Sequence, residues 1–131
     1  MIAPAERSLR VLLIDDSEIV LEATSAMLTN AGFDVRAVSS MQRFLNALLD
    51  WKPHVVVTDL HMPEMSGAEL CAWIRRQMPT NRIPIVVYSS TPEHELEDIV
   101  RDSGADACVS KERGLMGVAD RIRELCDGIV F

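Results

Sequence analysis

Five polar residues stand where apolar runs of this sequence end, and together they could handle a phosphoryl group. They are Asp15, Asp16, Asp59, Ser89 and Lys111. The runs before them, such as VLLI, VVVT and IPIVVY, are rich in branched residues, as buried strands are. If these runs are parallel neighbours in one sheet, the polar side chains converge at its carboxyl edge, where open α/β sheets bind ligands.

The residue types at this edge favour a divalent cation and a phosphoryl group. Clustered carboxylates repel one another, and a hard dication relieves that repulsion. Oxygen ligands with room for water suit Mg²⁺ or Mn²⁺ rather than Zn²⁺. A metal-bound carboxylate can attack a phosphoryl donor to form an aspartyl phosphate. A lysine and a hydroxyl can then contact the phosphoryl oxygens as point charge and hydrogen-bond donor.

Strand-like and helix-like segments alternate five times along the chain. The predicted strands are residues 10–14, 34–38, 54–59, 83–89 and 107–111. Amphipathic segments follow them, and we predict helix caps at Ser17, Ser66 and Thr91, the last before Pro92 at the first helical position. This alternation requires a parallel sheet with right-handed crossovers and helices on both faces. The predicted fold is therefore a doubly wound α/β domain.

Two details of the helical segments are also predicted. In the first of them, one helical row is formed by Ile19, Ala23, Ala26 and Asn30, and beside it lie Val20, Thr24 and Met27. Cys71 and Cys126 fall within apolar helical patterns, which indicates small buried side chains.

Length and composition bound the class of protein. A chain of 131 residues with 48% hydrophobic and 25% charged residues fits one globular domain, predicted here as residues 9–131 after a loose tail of residues 1–8. The net charge of −7 argues against direct nucleic-acid binding. No apolar stretch approaches the roughly 20 residues of a membrane span. Without a signal-peptide pattern, and with three cysteines but no CxxC pair, the chain is expected to be cytoplasmic with reduced thiols.

The sequence resembles the receiver domains of bacterial two-component response regulators over residues 9–127. The stretch DLHMPEMSG, residues 59–67, matches the family's D-x-x-M-P-x-M-x-G loop. The acidic pair, the hydroxyl and the lysine also match, in order and each at a predicted strand end. These motifs are specific in combination, whereas an acidic pair alone would be weak evidence.

The resemblance implies a fold and a role for each site residue. It implies five helices around a flavodoxin-like sheet of strand order 2-1-3-4-5. The phosphoacceptor would be Asp59, with Ser89 and Lys111 contacting the phosphoryl group. Mg²⁺, with Mn²⁺ as an alternative, would be held by Asp15, Asp16, Asp59 and the backbone carbonyl of His61.

The resemblance also implies partners. The donor would be a sensor histidine kinase or a histidine phosphotransfer protein, and the output domain or protein is not specified. The domain would bind neither nucleic acid nor membrane, and homodimer formation on phosphorylation is an option. It would be an enzyme only in catalysing its own phosphorylation and dephosphorylation.

The sequence departs from the family pattern at three positions. Cys108 replaces the usual aromatic residue, Glu112 replaces the proline after the lysine, and Ser90 stands where alanine or glycine is preferred. These departures leave open a receiver-like interaction module that works without phosphorylation. A Mg²⁺-dependent phosphohydrolase is a third alternative, but such enzymes want a second acid where this chain has His61.

Overall fold

The structure is a computed structural model and describes residues 8–127. Across those residues, five strands form one parallel sheet in the order β2-β1-β3-β4-β5. The strands are β1 (Arg10–Ile14), β2 (Asp34–Val38), β3 (Val55–Thr58), β4 (Ile85–Ser89) and β5 (Ala107–Ser110). The helices are α1 (Glu18–Asn30), α2 (Met41–Asp50), α3 (Gly67–Gln77), α4 (Glu93–Val100) and α5 (Leu115–Cys126). The predicted fold class and strand order are confirmed.

The predicted boundaries differ from the observed ones by one or two residues at three strands. β3 spans four residues, β4 begins after Pro84, and β5 ends before Lys111, which opens a short 3₁₀ turn, Lys111–Arg113. The predicted tail of residues 1–8 lies outside the described residues except for Ser8, as do residues 128–131.

The strands are apolar because the central ones are covered on both faces. Val56 and Ile85, paired across β3 and β4, belong to the core on one side of the sheet, which includes Phe44 of α2 and Leu70 of α3. Val57 belongs to the core on the other side, with residues of α1 and α5. A one-residue shift of a strand would turn each side chain to the opposite face and so exchange the residues of the two cores.

Two of the three predicted helix caps are confirmed. The Ser17 side chain accepts a hydrogen bond from the Val20 amide, and Ser66 forms a capping box with Glu69. The prediction for Thr91 is wrong. Pro92 occupies the N-cap of α4, which has no side-chain cap hydrogen bond, because the Thr91 hydroxyl bonds elsewhere, as described below.

The row of α1 that contains Ile19 does not face the core. Ile19 is 82% exposed, and the buried side of the helix is formed by Leu21, Thr24 and Leu28. The helix packs along the leucine row because those larger side chains fill the space above the sheet. The Thr24 hydroxyl is buried there and has no hydrogen-bond partner in the described part of the chain.

Replacing this buried hydroxyl should stabilise the fold. Thr24→Val keeps the branched shape of the side chain and removes a hydroxyl that is dehydrated on folding without gaining a hydrogen-bond partner. We therefore expect the free energy of unfolding to rise by about 1 kcal/mol. Urea unfolding measures the change. Thr24→Ser, which keeps the hydroxyl and removes a methyl, serves as the control and should destabilise. A loss of stability in the valine variant would show that the hydroxyl has a partner.

Within residues 8–127, none of the helices has both the length and the apolar character needed to cross a bilayer.

Candidate functional site

The sheet places the acidic residues directly beyond two adjacent central strands. Sheet-like hydrogen bonding continues one residue past each strand, since the Asp15 amide donates to Val38 O (3.4 Å) and the Asp59 amide donates to Ile14 O (3.2 Å). The backbone at both aspartates is therefore fixed by neighbouring strands rather than left to a free loop.

Three carboxylates meet at this edge. One oxygen from each of Asp15, Asp16 and Asp59 lies within 4.8 Å of the others. Asp15 is buried, Asp59 is half-buried and Asp16 is exposed. The cluster is therefore enclosed by protein on one side and open to solvent on the other. Oxygen ligands with access for water fit a hard divalent cation. The site is able to hold such an ion, as predicted.

Lys111 supplies the positive charge of the cluster. Its Nζ lies 3.2 Å from Asp15 Oδ2 and 3.8 Å from Asp59 Oδ1, and 5.5 Å from the centre of the Tyr88 ring. The ammonium group thus bridges two carboxylates that would otherwise repel each other. It is placed where it can contact an oxygen attached to Asp59.

The surroundings of Asp59 raise the pKa of its carboxyl group. Burial raises the pKa of Asp59, and the charges of Asp15 and Asp16 raise it further, while Lys111 and the Leu60 amide oppose the shift. That amide donates to Asp59 Oδ1 at 2.8 Å. The other oxygen makes no hydrogen bond within residues 8–127.

Ser89 is the last residue of β4, next to β3 in the sheet, and is fully buried. Its Oγ lies 3.2 Å from Thr91 Oγ1 and accepts a hydrogen bond from the Thr91 amide at 3.3 Å. Thr91 Oγ1 in turn lies 3.3 Å from Nε2 of His61, an exposed side chain of the loop after β3. A chain of polar contacts thus joins two loops of the site.

Sequence reasoning missed Thr91 and Thr58 as site residues. The Thr58 hydroxyl is buried and donates to Asp59 O at 2.9 Å, which helps to fix the acidic residue's backbone. Thr91 was predicted as a helix cap because a threonine before proline is typical of one. No sequence signal shows that His61 and Ser89 stand on either side of it.

The structure shows the surroundings of Cys108 and Glu112, two residues that depart from the family's sequence pattern. Cys108 is half-buried, and burial followed by the charges of Glu97 and Glu93 raises the pKa of its thiol. After the lysine, the chain turns without proline because Ser110 Oγ accepts from the Glu112 amide at 3.2 Å. Gly114 then adopts a φ of 79°, a conformation that glycine accepts without strain.

A parallel α/β sheet of this order, with carboxylates and a lysine at its carboxyl edge, defines a class of small switchable signalling domains. Residues 11–123 match the family model described as "Response regulator receiver domain". The chain belongs to the response regulator receiver domain family. Its role is accordingly that of a phosphoacceptor signalling domain in a two-component system.

Individual relatives and structures agree with this assignment. The transcriptional regulatory protein GltR of Pseudomonas aeruginosa is 30% identical over 115 residues, which cover 88% of this chain and 48% of that protein. The chain therefore spans about half the length of this curated relative.

Two solved structures share the fold. The receiver domain of Francisella response regulator 1452 superposes with a TM-score of 0.83 at 20% identity, covering 94% of this chain and 100% of that one. The receiver domain of a signal transduction histidine kinase from Syntrophus aciditrophicus gives 0.80 at 23% identity, covering 93% and 92%.

Proposed function

We propose that Asp59 is the residue that accepts the phosphoryl group. The observation that carries the proposal is its position, half-buried, with Lys111 Nζ 3.8 Å from one carboxylate oxygen and two further carboxylates within 4.8 Å. An Asp59 oxygen attacks phosphorus, the new P–O bond forms as the P–N bond of a phosphohistidine breaks, and the leaving imidazole keeps the electron pair and takes a proton.

The remaining site residues support that transfer. Asp15, Asp16, Asp59 and the backbone carbonyl of His61 would hold Mg²⁺, with Mn²⁺ as an alternative. A bound dication neutralises charge that builds up on the transferring group. Lys111 pairs with a phosphoryl oxygen, and the Ser89 hydroxyl donates a hydrogen bond to another. The same groups support phosphorylation from small donors and self-dephosphorylation, the sense in which the domain acts as its own catalyst.

The partners follow from the chemistry of the donor and from family membership. A sensor histidine kinase or a histidine phosphotransfer protein would present the phosphohistidine, and the phosphorylated domain would bias a conformational equilibrium read by an output domain or protein. The boundaries at residues 9–131, the cytoplasmic location, the absence of nucleic-acid and membrane binding, and homodimer formation stay predictions.

Acetyl phosphate tests the proposed function. Incubation of the protein with acetyl phosphate and Mg²⁺ should add the mass of one phosphoryl group, and peptide mapping should locate it on Asp59. Chelation of the metal with EDTA should suppress the gain. If the folded protein gains no mass, it works as an interaction module without phosphorylation; continuous hydrolysis of small phosphate esters would favour a phosphohydrolase.

Asp16→Asn tests the metal site separately from the chemistry. Removing one of three carboxylates should weaken Mg²⁺ binding by about tenfold or more, because each anionic ligand contributes strongly to binding of a hard cation. Asp16 is exposed, so the fold should be unchanged by circular dichroism. Calorimetric titration with Mg²⁺ measures the affinity, and Asp102→Asn, an exposed change with the same loss of charge, is the control. Equal affinities in the two variants would contradict the site.

A further inference from the structure

The Thr91 side chain connects the acidic loop to the buried Ser89 hydroxyl. Thr91 Oγ1 lies 3.2 Å from Ser89 Oγ and 3.3 Å from His61 Nε2. Thr91 is half-buried and Ser89 is fully buried. Capping does not explain the position of the Thr91 hydroxyl, since α4 has no side-chain cap hydrogen bond.

The direction of hydrogen bonding along this chain follows from counting protons. A hydroxyl has one proton to donate and two lone pairs that accept. The Thr91 amide already donates to Ser89 Oγ at 3.3 Å. In the proposed function the Ser89 hydroxyl donates to the phosphoryl group on Asp59, so the proton of Ser89 points toward that group. Ser89 can then only accept from the Thr91 hydroxyl.

The same count fixes the role of the imidazole. Once the Thr91 proton is directed at Ser89, Thr91 Oγ1 can only accept from His61, so Nε2 of His61 carries a proton. The chain then runs from His61 through Thr91 to Ser89 and ends at the phosphoryl group. In the opposite direction, Ser89 would donate to Thr91 and have no proton for the phosphoryl group.

We propose that Thr91 is a positioning residue: its hydroxyl directs the proton of Ser89 toward the phosphoryl group, and the His61 side chain donates to Thr91 at the other end of the chain. This rests on the proposed function, phosphorylation of Asp59. Thr91 forms and breaks no covalent bond. It removes the alternative hydroxyl orientation in which Ser89 cannot contact the phosphoryl group, and orientation that is fixed in advance strengthens such contacts.

Two variants of Thr91 separate this role from packing. Thr91→Val keeps the shape without the hydroxyl, and Thr91→Ser keeps the hydroxyl without the methyl. Beryllofluoride, which mimics the phosphoryl group, is titrated in the presence of Mg²⁺ and followed by ¹⁹F NMR. Thr91→Val should bind it about fivefold to tenfold more weakly, the scale of one hydrogen bond between neutral groups. Thr91→Ser should recover most of that affinity.

A double-mutant cycle with Ser89 shows whether Thr91 acts through it. In a Ser89→Ala background, Thr91→Val should cause no further loss of beryllofluoride affinity, because the Ser89 hydroxyl that Thr91 positions is absent. His61→Leu, at an exposed position that does not threaten folding, should weaken binding in the same direction, and His61→Gln, which retains a donor, should weaken it less.

The outcomes distinguish this inference from the proposed function. If wild-type protein neither binds beryllofluoride nor is phosphorylated by acetyl phosphate, the proposed function fails. If wild type does both, three results would each overturn the role of Thr91. Thr91→Val could bind beryllofluoride as tightly as wild type, or the valine and serine variants could lose the same affinity. Thr91→Val could also weaken binding as much in the Ser89→Ala background as it does alone.

Discussion

Asp59→Asn is expected to abolish phosphoryl acceptance and, in the absence of metal, to stabilise the fold. The amide has no nucleophilic carboxylate oxygen, so acetyl phosphate should add no mass. The substitution also removes a half-buried charge that lies within 4.8 Å of two other carboxylates. Burial and these carboxylates outweigh the attraction of Lys111, since the pKa of Asp59 is raised on balance, and the amide oxygen can still accept from the Leu60 N–H. We expect a gain of about 1 kcal/mol, the scale of a partly screened repulsion, or roughly 3–5 °C in Tm.

The stability gain should depend on pH in a defined direction. Burial and the neighbouring carboxylates raise the pKa of Asp59 above its ordinary value of 3.8, so the folded state binds a proton more readily than the unfolded state. Stability of the wild type therefore improves as pH falls through the raised pKa, and the advantage of Asp59→Asn disappears by about the ordinary value. Thermal unfolding of both proteins between neutral and acidic pH measures the difference.

Magnesium provides the matching control. Wild-type protein should gain stability as Mg²⁺ is added, because an ion bound only by the folded state shifts the unfolding equilibrium. Asp59→Asn should gain less, so the two melting temperatures should approach each other. Asp102→Asn, exposed and distant in sequence, should show no gain over wild type. A variant at Asp59 that is less stable than wild type at neutral pH without metal would contradict the inferred repulsion.

Gly67→Ala is expected to disrupt the loop that carries Asp59. A Cβ added at Gly67 would overlap with the Asp59 carbonyl oxygen and lie 3.0 Å from Leu60 Cα. Both contacts are backbone atoms, which cannot rotate away, and the Gly67 amide is tied to Leu60 O at 2.8 Å. We expect a loss of about 2–3 kcal/mol from this overpacking, together with slower phosphorylation, since relief of the overlap has to move the acceptor residue.

Gly117→Ala is the matched control for this substitution. Gly117 lies within α5, and an added Cβ there would meet Arg113 Cβ at 3.3 Å and Val109 Cγ1 at 3.4 Å. These contacts are milder than those at Gly67, and the valine methyl can move by side-chain rotation. The helix also favours alanine by about 1 kcal/mol, so the net change should be small. Urea unfolding and acetyl phosphate labelling of both variants compare them. If Gly67→Ala and Gly117→Ala have similar free energies of unfolding, the loop can rearrange around the added methyl group with little loss of stability.

Local patterns were sufficient to predict most of the fold because the physics that they report is local. Ser17 and Ser66 were recognised as caps because a serine before an amphipathic segment satisfies nearby amides whatever the rest of the chain does. The strands were recognised from apolar runs such as residues 55–58, since a strand covered on both faces has no polar side. The helical rows of α1 could be listed from the sequence, but which row is buried depends on how the helix packs on the sheet, and the structure buries Leu21, Thr24 and Leu28 rather than the row of Ile19.

The sequence by itself determined the sheet, its strand order through the family resemblance, and the residue types of the acidic site. Their order along the chain and the rule that parallel strands share a carboxyl edge were enough to bring Asp15, Asp59 and Lys111 together. Only the tertiary structure decided what Thr91 does. Its hydroxyl could bond either to a backbone amide at the start of α4 or to the side chains of Ser89 and His61. His61 lies 30 residues from Thr91 along the chain, so only the folded structure brings them together. Local propensity favours the first partner, and the packing of the loops selects the second.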